Sequence, residues 1–361
     1  MFNDDSTPTP PARTMATTSA ATRRARRRRA LTIGCGLSAS LVLAACSGVG
    51  EEVDTNTAGP DPDAEITFRF AHVYQPQHPV EACGVPAIQE ALDGTGVTIE
   101  SYPAGQLGTE QELLEQAIDG SLDLAVAGPS FLAEYYPDTG VLDGGYLFSD
   151  LEDFNAKIDS PEVTQIWDGL YDESGLDVRS VWYYGTRQIT SNVEVNEPAD
   201  LQGLKIRTPD APLYLDVIEL MGGTGTPMAL GEVYTGLQQG TIDAQENPIP
   251  TIASSGFQEV QEYINLTNHI VQSVEIVTTD QVTDQMDDEQ QEAFDAALEA
   301  GASATQECIV EQTEDTLAEW RESGEITVND DVDQEAFEEA VSEGLPDRYD
   351  WGDLYEEIRS S

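Results

Sequence analysis

From Ile66 to Pro248 the chain alternates strand-like and helix-like periods, and this alternation restricts the fold more than any other feature of the sequence. Residues 66–74 (ITFRFAHVY) alternate apolar and polar side chains as a half-buried strand does, and the run stops at Gln75-Pro76. A helix over 82–93, a strand over 97–102, a helix over 109–119 and a strand over 122–127 follow. The second helix carries Thr109 three residues before Glu112, the spacing of a capping box, and ends at Gly120. A β-α-β-α-β order predicts parallel strands with helices on their faces, because parallel strands need a crossover. In such sheets ligands meet the carboxyl ends of the strands. Those ends are Tyr74-Gln75 and Gly128-Pro129-Ser130-Phe131.

Helices over about 150–157 and 161–174 lead to the strand DVRSVWYYGTRQITS, which carries Trp182, Tyr183, Tyr184 and Arg187. A second series then begins, with strands over 204–207, 224–226 and 242–246 and helices over 211–221 and 231–239. Residues 274–282 (VEIVTTDQV) read as a strand crossing back, 288–322 as a long acidic helix, and 333–344 and 350–359 as shorter amphipathic helices. Two α/β series joined by crossing strands predict two lobes with a cleft between them.

The N-terminal residues read as an address. Arg23, Arg24 and Arg26 to Arg29 precede an apolar stretch over 30–45 that is shorter than the roughly 20 residues of a membrane span. Leu43-Ala44-Ala45-Cys46 resembles a bacterial lipobox, so residues 1–45 are expected to be a lipoprotein signal peptide and Cys46 to carry lipid. The arginine pairs are compatible with either the general or the twin-arginine export route. Residues 46–64 combine Gly, Pro, Ser, Thr and acids and read as a flexible acidic tether. The folded domain is expected over 65–361.

Charge narrows the partners. The chain has 16 Lys+Arg against 68 Asp+Glu, and after Cys46 there remain nine basic and 66 acidic residues, a net charge of −57. Such a chain repels nucleic acid and anionic membrane surfaces, which excludes nucleic acid as a partner. The self-repulsion is relieved by salt, which points to a salt-adapted source. Cys83 and Cys308 are the two cysteines of the exported domain, and they form either one disulfide or two separate buried thiols.

Enzyme signatures are weak. His72 and His78 are six residues apart around two prolines, Gly128-Pro129-Ser130-Phe131-Leu132 lacks the last glycine of a nucleophile elbow, and the acids of 329–333 lack the glycine and terminal glutamate of a calcium loop. No metal or cofactor is expected. Binding has better support. Arg207 follows Lys205-Ile206 at a strand end before Pro209, so its guanidinium is expected at a sheet edge, where its fixed donors suit a carboxylate. Asn247, in Gln245-Glu246-Asn247-Pro248, ends the next parallel strand and offers both a donor and an acceptor.

These motifs together resemble the solute-binding proteins of tripartite ATP-independent periplasmic (TRAP) transporters: Thr186-Arg187-Gln188, Leu204-Lys205-Ile206-Arg207, Thr226-Pro227-Met228, Gly231-Glu232-Val233-Tyr234, Leu237-Gln238-Gln239-Gly240 and Ile242 to Pro248. Phe70-Ala71-His72, Pro103 to Gly108 and Leu266-Thr267-Asn268-His269 fit as well, and the likeness covers about 66–330. It implies an α/β, two-lobed periplasmic-binding-protein-like fold with mixed sheets, an inter-lobe cleft and a long helix spanning both lobes. Lobe I is then about 65–185 plus returning C-terminal elements, and lobe II about 186–275. The resemblance also implies a non-enzymatic, extracytoplasmic receptor, lipid-anchored to the outer face of the cytoplasmic membrane. It would deliver an organic acid to the small and large membrane subunits of a sodium-coupled transporter.

In that family the LK-x-R arginine pairs with the ligand carboxylate and falls here on Arg207. The TRQ arginine, usually a second contact, falls on Arg187, and the ENP asparagine on Asn247. Where many relatives have an aromatic residue two positions before the glutamate of GEVY, this chain has Leu230, which argues against ring stacking there. Two arginines favour a C4-dicarboxylate or related hydroxy or keto acid. Gln75, Ser130, Phe131 and Trp182 complete the pocket candidates by strand-end geometry. A receptor for an ATP-driven importer or a sensor kinase, and an exported lipoprotein enzyme, are the alternatives.

Overall fold

A computed structural model describes residues 65–361. The expected signal peptide, Cys46 and the tether over 46–64 lie outside the described residues. Eight strands follow in spatial order β2-β1-β3-β8-β4-β7-β5-β6 and a ninth, β9, pairs with β8. They are β1 Ile66–Ala71, β2 Val97–Tyr102, β3 Leu124–Ala127, β4 Asp177–Ser191, β5 Lys205–Thr208, β6 Thr224–Pro227, β7 Ala244–Pro248, β8 Tyr263–Thr278 and β9 Thr327–Asn329. The sheet is mixed: β1 is parallel to β2 and β3, and β5 is parallel to β6 and β7. These two parallel groups are the two α/β series of the sequence.

The long strands β4 and β8 join them. They run antiparallel to each other from Asp177↔Thr278 to Ser191↔Tyr263. Near one end β8 pairs with β3 through Glu275–Val277, and near the other β4 pairs with β7 through Arg187–Ser191. Each long strand therefore passes from one parallel group to the other. The structure lengthens the returning strand relative to the sequence reading, which began at 274. The missed half, 263–273, contains Asn265, Thr267, His269, Gln272 and Ser273, all buried, so its core positions are polar and the apolar period is lost.

The helices follow their sequence signals closely. Thr109 caps the helix Glu110–Asp119 by accepting from the Glu112 N–H while the Glu112 carboxylate accepts from the Thr109 N–H, and Gly120 ends it at φ 77°. The late helix Asp288–Ser323 starts at a second capping box, Asp287 with Gln290, and lies along β4. Its Cys308 is joined to Cys83, in the π-turn Val80–Gly84, with Cα atoms 6.6 Å apart and 225 residues of separation. The bond ties the first helical segment to the last long one.

Trp182 explains this packing and corrects an expectation. The indole is fully buried, donates from Nε1 to Ser180 Oγ at 3.0 Å, and lies so close to Gly84 and Gly301 that a Cβ on either would meet the ring at 2.5–2.9 Å. It wedges the long helix onto β4 and does not line a ligand cavity.

Glu275 is a half-satisfied carboxylate in the core. It is fully buried on β8, accepts a 2.7 Å bond from Ser273 Oγ at Oε1, and has no partner at Oε2. Burial, with a smaller push from Asp143, holds its carboxyl well above the usual range. A raised folded-state value means that the folded form retains a proton the unfolded form would lose. Folding is therefore penalised progressively as pH rises above the unfolded value, about 4.3, and not below it. Glu275→Gln is expected to raise the thermal midpoint at pH 7.5 and leave it nearly unchanged at pH 4. A lower midpoint at pH 7.5 would contradict this.

Candidate functional site

The carboxyl ends of the parallel strands from both groups converge on one small cavity. Tyr74 follows β1, Gly128 and Phe131 follow β3, Arg207 and Pro209 close β5, and Asn247 lies near the end of β7. Tyr184 and Arg187 from β4, Gln272 and Val274 from β8, and Glu110, Tyr214 and Leu230 complete the wall. The free space is about 20 Å³, room for roughly one water, so a larger solute must part the walls. A surface groove between 154–183 and 299–306 is larger, about 530 Å³, but its arginine, Arg179, is already bonded to Asp177 and Asp295.

Arg207 is the distinctive group. The nine basic residues after Cys46 all lie in the described part, and seven of them pair with carboxylates. The other two are Lys205, which is exposed, and Arg207, which is only 3% exposed. Among the described residues Arg207 bonds only to the Met228 carbonyl, from Nε at 2.8 Å and from Nη2 at 2.6 Å, and Nη1 has no acceptor. Burial pushes its guanidinium down to about 10; Glu246 opposes that shift and Arg187 adds to it. It remains cationic at neutral pH. A buried cation without a counter-ion is unfavourable unless an anion joins it. β5 is flanked by β7 and β6, so the expected position at a sheet edge is corrected: β6 is the edge strand, and Arg207 emerges at the carboxyl end of an inner one.

Arg187 is different. Its Nε and Nη2 donate to the Glu246 carboxylate, Nη2 also to the Glu246 carbonyl at 2.7 Å and Asn247 Oδ1 at 3.3 Å, and Nη1 to Gln272 Oε1 at 2.6 Å. Its guanidinium lies 5.2 Å from the centre of the Tyr214 ring. The pair is buried on both sides, and His269 Nε2 lies 3.3 Å from Glu246 Oε2. Although burial alone would raise it, Arg187 and His269 hold the Glu246 carboxyl below its usual range. Gln272 continues the network through Nε2 to Asp143 Oδ1 at 3.0 Å, and Tyr214 donates to Asp143 Oδ2 at 2.7 Å. Arg187 thus presents a neutralised ion pair to the cavity.

Asn247 is oriented by a directional chain. The Val80 N–H donates to His78 Nδ1 at 3.2 Å, which leaves Nε2 as the protonated nitrogen facing Thr251 Oγ1 at 3.1 Å. Thr251 donates to Tyr184 at 2.7 Å, and Tyr184 to Asn247 Oδ1 at 3.4 Å. Burial, with His72 beside it, takes His78 down to about 3, so this order holds throughout the physiological range. The Asn247 amide donates to Gln245 Oε1 at 2.8 Å.

The structure therefore brings Arg207, Arg187, Asn247, Phe131 and Leu230 into one wall. It does not bring Gln75, Ser130 or Trp182 there. Gln75 is partly exposed and its neighbour Tyr74 lines the cavity instead. Ser130 is buried beside Asp143, to which its N–H donates at 2.9 Å, and borders a separate apolar cleft. Glu110, Tyr184, Tyr214, Gln272 and the pairing of Glu246 were not assigned roles from the sequence. Tyr184 and Arg187 would face opposite sides of a regular strand. Pairing of β4 with β8 shifts between Tyr183 and Gly185, and Gly185, at φ 121°, sits where a Cβ would meet Pro248 at 2.7 Å.

Comparison with known proteins places the chain in a family. The model of the bacterial extracellular solute-binding protein family 7, DctP, matches residues 86–349. The 2,3-diketo-L-gulonate-binding periplasmic protein YiaO of Escherichia coli is 30% identical over 263 residues, 73% of this chain and 79% of its own. Among solved structures, a TRAP periplasmic solute-binding protein from Polaromonas sp. JS666 bound to D-erythronate aligns with TM-score 0.76 at 26% identity, covering 82% of this chain and 98% of its own. One from Roseobacter denitrificans with bound L-galactonate aligns with TM-score 0.75 at 28% identity, covering 82% and 99%. The mixed α/β architecture is that of these two-lobed receptors, and the chain belongs to family 7 of the bacterial extracellular solute-binding proteins, the DctP family of TRAP transport.

Proposed function

We propose that this protein is a non-enzymatic receptor that binds a small hydroxy or keto acid through one carboxylate and delivers it to the membrane subunits of a TRAP transporter. The observation that carries this reading is Arg207, a buried guanidinium in the cavity with no carboxylate partner among the described residues. Charge balance favours a single carboxylate over the C4-dicarboxylate that two arginines first implied, because Glu246 already neutralises Arg187. The acids bound by relatives, D-erythronate and L-galactonate, are of the same class. Lobes of about 65–185 and 186–275 would part to admit the solute and close on it, with the closed form favoured by the contacts it alone makes. Cys46 would hold the receptor to the outer face of the membrane, the acidic segment over 46–64 serving as tether.

A thermal-shift screen tests the reading. D-erythronate, L-galactonate, 2,3-diketo-L-gulonate, succinate and malate are compared with neutral sugars and amines. At least one hydroxy or keto monocarboxylate is expected to raise the midpoint by several degrees at millimolar concentration, as ligand linkage requires. A panel in which only neutral or cationic solutes stabilise the protein would overturn it, and chemical turnover of the bound acid, followed by mass spectrometry, would restore the enzyme reading.

A further inference from the structure

Glu110 is an acid inside an anion site, and beyond its own backbone N–H it has no bonding partner among the described residues. It is the first residue of the helix Glu110–Asp119, yet the cap of that helix is completed by Thr109 and Glu112. Among the described residues no other side chain donates to its carboxylate and no cation lies within ion-pair distance of it. It nevertheless lines the cavity with Arg187 and Arg207. Burial raises its carboxyl above the usual range, and the two arginines offset only part of that. The cavity wall thus holds one cation with spare donors, one neutralised ion pair and one acid with spare acceptors.

We propose that Glu110 sets the charge selectivity of the site, accepting a hydrogen bond from a solute hydroxyl while Arg207 holds the carboxylate, and excluding the corresponding dicarboxylate. This rests on the receptor reading above. An acid that carries a second carboxylate places like charges together where water is scarce, a cost that a hydroxyl in the same position does not incur. The other cation and the two side-chain amides of the wall are committed: Arg187 to Glu246, Gln272 through its amide to Asp143, and Asn247 through its amide to Gln245. Glu110 therefore works as a filter by repulsion as well as a contact by attraction.

Matched pairs of acids test this on the full receptor by calorimetry: L-galactonate against galactarate, and D-erythronate against meso-tartrate. The wild type is expected to prefer the monocarboxylate of the pair it binds. Glu110→Gln should reduce that preference at least tenfold, chiefly by tightening the dicarboxylate, and Glu110→Asp, which keeps the charge, should retain most of it. Glu110→Ala provides a second neutral variant, and folding of each is checked by its melt without ligand. An unchanged preference in both neutral variants overturns the role of Glu110 and leaves the receptor reading standing. A wild type that binds neither member of either pair, or prefers the dicarboxylates, overturns the role of Glu110, and a preference for the dicarboxylates overturns the single-carboxylate reading with it.

Discussion

Arg207→Lys is expected to weaken solute binding more than tenfold in calorimetry, with the melting temperature of the unliganded protein little changed. The size follows from geometry. Nε and Nη2 of Arg207 are anchored on the Met228 carbonyl, which fixes the plane of the guanidinium and leaves Nη1 and the remaining Nη2 hydrogen for an incoming anion. Charge-assisted hydrogen bonds in a water-poor site contribute about 1.5–3 kcal/mol, and an ammonium on a flexible stem is a point charge that cannot reproduce the planar two-donor fork presented to a carboxylate. The unliganded protein loses little because the arginine has no counter-ion among the described residues. Wild-type affinity in the lysine variant would contradict this account.

The largest stability effect is expected one strand away. Glu246→Gln removes the only carboxylate paired with Arg187 among the described residues, a side chain 2% exposed, and leaves its charge buried. Breaking such a pair from one side typically costs about 3–5 kcal/mol. The pH dependence follows from the lowered Glu246 value. A carboxyl depressed in the folded state contributes its stability above the unfolded value of about 4.3 and loses it as pH falls through the lower folded value. The gap between wild type and Glu246→Gln in denaturant unfolding should therefore be full at pH 7 and shrink below about pH 4. A gap under 1 kcal/mol at pH 7 would show that Gln272 and the backbone carbonyl suffice for Arg187.

Much of the fold was legible in the sequence, for identifiable reasons. A capping box and a terminal glycine marked the helix over 109–119, and short apolar strands such as Leu124–Ala127 marked the parallel groups. The first half of β8 escaped because Asn265, Thr267 and His269 are buried polar residues that bond to neighbouring strands or to one another. The cavity wall was legible where it lay in motifs, at Arg207, Arg187 and Asn247. What could not be read was which arginine was free. That depends on the antiparallel register of β4 and β7, which sets Ile189 opposite Glu246 and Gln188 opposite Asn247 across more than 50 residues of chain. Glu110 was hidden by its position, since an acid in the first turn of a helix is ordinary there. Trp182 was misplaced because strand-end proximity does not tell which face a side chain takes.

The central claim is that the solute carboxylate completes Arg207. A crystal structure of the protein with the acid that gives the largest thermal shift tests it most directly. Both carboxylate oxygens are expected within hydrogen-bond distance of the Arg207 guanidinium, with the Arg187–Glu246 pair intact beneath them. A carboxylate seated on Arg187 in place of Glu246, or bound away from Arg207, would contradict it.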